Sequence, residues 1–69
     1  MDREAYLKEM GSKIKSARKA NKLSLPKLSE LCKVGISNLW FIEQGKRNAH
    51  ILTLKSIADV FKMDVKDFL

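Results

Sequence analysis

One cysteine, Cys32, one histidine, His50, and the run Gly45-Lys46-Arg47 are the places in this 69-residue sequence where side-chain type could carry chemistry. A nucleophile needs a base and an orienting acid around a shared pocket, and a zinc ion needs three or four protein ligands. A single Cys and a single His supply neither. A phosphate-cradling loop needs a longer glycine-rich run than Gly45-Lys46-Arg47 offers. The expectation is therefore a protein that is not an enzyme, with no cofactor, no metal and no small-molecule ligand. Cys32, at an apolar helical position, reads as a small core side chain, and His50 as a cap or loop residue near a later helix.

Charge is the remaining chemistry. The formal net charge is +6. From Lys13 to Lys33 there are seven basic residues (Lys13, Lys15, Arg18, Lys19, Lys22, Lys27, Lys33) against one acid, Glu30, which accounts for the whole excess. Such a segment fits a polyanionic partner, and equally a solvated helix face, so position must decide between them. One cysteine allows no intrachain disulfide, and the apolar runs are too short to cross a bilayer. The opening MDREAYLKEM lacks the basic-then-apolar order of a secretory leader. A cytoplasmic protein with no membrane partner is expected.

The elements that must position these cations are helical. A chain of this length is one domain, 1–69, near the lower size limit for a self-sufficient core. Leu7, Met10, Ile14 and Ala17 recur at helical spacing, giving a first amphipathic helix over about 3–20 with Asp2 as its cap and Asn21-Lys22 as its end. Tyr6 falls at the edge of the core. Ser24 as N-cap and Pro26 in the first turn start a second, two-turn helix whose inward face is Leu28, Leu31 and Cys32. After Lys33-Val34-Gly35 a third helix runs from Ile36 to Gln44, closed by Gly45. Loop residues Lys46 to Ala49 follow. Ile51, Leu54, Ile57, Ala58 and Phe61 mark a fourth helix, and Asp64 with Asp67 opens a short fifth, Val65 to Leu69. The fold class expected is all-α, five short helices.

Two short helices joined by a brief turn, the second followed by Gly and a basic loop, outline a helix-turn-helix unit over about 24–45. From about residue 11 to 69 the chain resembles the Cro and lambda-repressor type, also called the xenobiotic-response-element family. The resemblance rests on Ile14 and Arg18, on Leu28-Ser29-Glu30 and Val34, on Leu39 and Ile42-Glu43-Gln44-Gly45-Lys46-Arg47-Asn48, and on Leu54, Ile57-Ala58 and Phe61. It implies a transcription regulator that reads a pseudo-palindromic site on double-stranded DNA as a homodimer, in the role of repressor or autoregulator. By correspondence, Ile36, Ser37, Trp40 and Phe41 would face the bases, Lys46, Arg47 and Asn48 would hold phosphates, and Arg18 and Glu43 would form a structural ion pair.

A helical wheel divides the third helix the same way. With about 100° per residue, Ile42 falls beside Leu39, while Ser37, Phe41 and Gln44 lie opposite with Trp40 flanking them. The outward face departs from the family's habit of polar side chains, offering Ile36, Trp40 and Phe41; Leu25 likewise stands where the family commonly has Gln. Apolar groups can contact thymine methyls in the major groove. They can also form a protein interface, so the alternative function is a protein-binding module of the same fold, an antirepressor or regulator partner. A third possibility is that Trp40 packs over the first helix. For the homodimer, Val65, Phe68 and Leu69 are the expected surface, unless they close the monomer core.

Overall fold

The structure, a computed structural model, describes residues 2–69. Among them are four α-helices and one 3-10 turn, with no strand. Helix α1 spans Arg3–Ala20 and starts where the Asp2 carboxylate accepts the Ala5 N–H at 2.7 Å. Its residues Leu7, Met10, Gly11 and Ile14 form the buried stripe. Helix α2, Leu25–Cys32, starts at Ser24, whose Oγ accepts the Lys27 N–H at 3.2 Å, and Pro26 occupies the first turn, where no N–H is needed.

Helix α3 is Ile36–Glu43, with Gln44 as its C-cap and Gly45 in the left-handed region at φ +73°. Helix α4 is Ile51–Val60, and His50 is its N-cap, Nδ1 accepting the Leu52 N–H at 3.2 Å. The last element differs from expectation. Val65–Phe68 is a 3-10 turn rather than an α-helix reaching Leu69. Asp64 and Asp67 cap each other's backbone as their spacing implies, but one turn is too short for the α pattern to propagate.

Helix α1 packs on α3, α2 on α3 and α4, and the 3-10 turn on both α4 and α1. The core is Leu7, Met10, Ile14, Leu28, Cys32, Leu39, Ile42, Leu54, Ile57, Ala58 and Phe68. Two expectations are corrected here. Leu31, assigned to the inward face of α2, is exposed, because Leu28 and Cys32, with Leu25 partly buried beside them, fill the seam of this two-turn helix. Phe68, expected on a dimer surface, is buried and lies 6.5 Å from the Phe61 ring, so it closes the monomer. Val65 packs partly against the same core, and of the three only Leu69 is exposed.

Candidate nucleic-acid interface

Helix α3 has a back that is locked and a front that is open. At the back, Leu39 and Ile42 are fully buried. Gly11 of α1 lets the two backbones close up: a Cβ there would collide with the Ile42 carbonyl oxygen and sit 2.6 Å from that of Glu43. Only a residue without a side chain permits this approach.

Beside that contact the Glu43 carboxylate, its side chain 3% exposed, takes two hydrogen bonds from Arg18. Nε donates to Oε2 at 2.8 Å and an Nη to Oε1 at 3.0 Å, the paired geometry that suits guanidinium and carboxylate. The other Nη donates to the Leu23 carbonyl at 2.9 Å, so α1, the α1–α2 turn and α3 are joined through one side chain. The hydrogen bond to Glu43 raises the Arg18 pKa above its ordinary value, burial opposing it only in part. At the α2–α3 turn, Ser29 Oγ donates to the Val34 carbonyl at 2.6 Å and fixes how α3 leaves α2. Burial pushes the Cys32 thiol up, so its reactive thiolate is disfavoured.

On the front, Ile36, Ser37 and Trp40 are exposed and Phe41 is half-buried. Trp40 is 43% exposed, so much of its ring lies on the surface. Its ring meets that of Phe41 edge to face, centroids 5.1 Å apart. The cations from the following loop come back over these rings. Lys46 Nζ lies 5.6 Å from the centre of Trp40, and the Arg47 guanidinium 4.8 Å from that of Phe41. Asn38, which the sequence reading did not single out, accepts from Arg47 at 2.9 Å and steadies it. Asn48 is exposed beyond them.

The result is a mixed surface, with aromatic faces flanked by cations held near them by ring quadrupoles and one side-chain amide. Such a surface suits a partner with an anionic backbone and apolar or π-faced groups between the charges. Among the described residues no cluster of His, Cys, Asp or Glu could hold a metal, and no helix is long and apolar enough to cross a membrane.

No protein-family model and no curated protein matches the chain. Solved structures do match. A transcriptional regulator of the HTH_3 family from Vibrio cholerae is 27% identical with a TM-score of 0.89, this chain spanning 97% of its own length and 38% of that regulator. The DNA-binding domain of BldD is 25% identical, with a TM-score of 0.84 over 100% of this chain and 99% of that domain. The restriction-modification controller protein C.AhdI from Aeromonas hydrophila has a TM-score of 0.90 at 23% identity, covering 94% and 98% of the two chains. The chain has the helix-turn-helix fold of these regulators, and the resemblance read from its residues holds along nearly its full length.

Proposed function

We propose that this chain is a sequence-specific DNA-binding transcription regulator that inserts α3 into the major groove and acts as a repressor or autoregulator. The observation that carries the reading is the front of α3, where Lys46 and Arg47 stand over Trp40 and Phe41. A major groove admits one helix, its walls are phosphates and its floor carries thymine methyls alongside hydrogen-bonding base edges. Lys46, Arg47 and Asn48 match the walls. Ile36, Trp40 and Phe41 match the methyls, and Ser37 supplies a hydroxyl for a base edge. The regulators that share the fold support the same assignment.

One module of this size buries too little DNA for tight binding alone, so the reading includes a homodimer on two half-sites of a pseudo-palindrome. Acting on DNA, it works in the cytoplasm. Selection of bound sequences from a pool of random duplexes, followed by gel shift at two salt concentrations, tests the reading. A palindromic consensus rich in adjacent thymines, with affinity falling steeply as salt rises, is expected. Absence of binding to any duplex at low salt overturns it and leaves the same face as a protein-binding surface.

A further inference from the structure

A recognition helix meets base edges with its N-terminal residues, and in α3 those residues carry almost no fixed hydrogen-bonding code. Ile36 and Trp40, each 43% exposed, stand one turn apart on the same side of the helix. By the helical period Ser37 lies between the two rings, about 60° from Trp40 and about 40° from Phe41. The rings meet edge to face with centroids 5.1 Å apart, so the front presents one hydroxyl within an apolar surround. Asn38 adds no amide code to it. Selecting adenine takes both halves of an amide, and the Asn38 oxygen already accepts from Arg47 at 2.9 Å. Gln44 is the C-cap of α3, at the opposite end from the residues that meet base edges.

We infer that the group this front recognises is a pyrimidine C5-methyl, so that 5-methylcytosine is read as well as thymine and binding to the site rises with cytosine methylation. The two bases carry the same methyl in the major groove and differ beside it, thymine having the O4 acceptor and cytosine the N4 donor. A front that fixed a donor at that place would accept thymine and refuse 5-methylcytosine. A serine hydroxyl refuses neither, because by turning about one bond it donates to O4 or accepts from the N4 amine. Discrimination then falls to the methyl, which Ile36, Trp40 and Phe41 shield from water and which uracil and unmethylated cytosine lack. Arg47 extends the same surround: its guanidinium lies 4.8 Å from the centre of Phe41 and offers a flat, weakly hydrated face at its edge.

This inference rests on the major-groove reading proposed above and adds regulation to it. Methylated copies of the site are held more strongly than unmethylated ones.

Fluorescence anisotropy titrations with altered forms of the selected duplex test it. In one pair, thymine is compared with uracil opposite adenine at each thymine that selection requires. In the other, 5-methylcytosine is compared with cytosine opposite guanine at the same place, so each pair differs by a methyl alone. Burial of one methyl-sized group corresponds to about fourfold in affinity, and to about fifteenfold when both half-sites are changed. Both ratios are expected, with the same sign and similar size. Trp40→Ala keeps Lys46 and Arg47 for the phosphates, should remain folded by circular dichroism, and should bring both ratios toward one. 5-Methylcytosine bound no better than cytosine overturns the inference, even with thymine preferred over uracil, and leaves the proposed function standing. Ratios that survive Trp40→Ala overturn it as well, because the methyl would then act through the shape of the duplex. Binding to no duplex at all defeats the proposed function and the inference together.

Discussion

The two sides of α3 are built by opposite rules. Its back is held by a backbone contact that only Gly11 allows and by a shielded ion pair in which each of the three guanidinium nitrogens makes a hydrogen bond. Its front keeps Trp40 and Ile36 in water, tied down only by ring contacts and a single Asn38–Arg47 hydrogen bond. Orientation and recognition are separable in this helix. The back fixes the angle at which the helix is offered, so the front is free to carry side chains that do nothing for the fold. Substitutions should sort accordingly: back changes cost stability, front changes cost binding.

The largest effect is expected at Arg18. Arg18→Ala leaves the Glu43 carboxylate buried with no partner and should lower stability by about 3–5 kcal/mol, a large part of what a small domain has. Chemical denaturation measures this. Replacing both members with apolar residues of similar size should recover most of the loss, since the penalty comes from the stranded charge. Next is Gly11→Ala, where the new methyl meets carbonyl oxygens that cannot swing aside. A loss of about 3 kcal/mol is expected, and a melting curve unchanged from wild type would show that α1 and α3 are not in close contact.

A smaller effect of opposite sign is expected outside both faces. Lys33 ends α2 in the left-handed conformation at φ 58°, which costs a residue with a Cβ. Lys33→Gly should raise stability by about 1 kcal/mol in thermal unfolding, and a decrease would mean that the lysine side chain makes a contact of its own. On the front, Lys46→Ala and Arg47→Ala should leave stability within about 0.5 kcal/mol of wild type. Each should weaken binding to all duplexes alike and reduce the slope of log affinity against log salt by about 1. A full slope in either variant would remove that side chain from the phosphate contacts.

How much of this could be read from sequence follows the same divide between local and distant causes. Caps and periodicity are local, so Asp2, Ser24, Gly45 and the Asp64–Asp67 pair marked their elements, and the wheel separated Leu39 and Ile42 from Ser37, Phe41, Gln44 and Trp40, of which Phe41 alone is half-buried rather than exposed. The Arg18–Glu43 pairing came through the resemblance, because residues so far apart in sequence carry no periodic signal. Gly11 was not legible: within a helix it reads as a weak spot, and only the approach of α3 gives it a purpose.

Leu31, Ile51 and Phe68 share another reason. Each is an apolar residue at helical spacing, and whether such a residue faces inward depends on which neighbour covers it. Asn38 had one signal available, its place next to the wheel position of Phe41's flank, but its acceptor role depends on the loop that returns Arg47 over the helix.

Whether the front of α3 reads DNA while its back holds the fold can be decided by one pair of titrations. Phe41→Ala and wild type are each titrated with the selected duplex and with a random duplex of equal length, alongside a melting curve. A DNA-reading front predicts a loss of roughly 1 to 3 kcal/mol on the selected duplex for each base position no longer read, a much smaller loss on the random duplex, and a variant that still melts as a folded domain. Equal losses on both duplexes, or no loss on either, would contradict it.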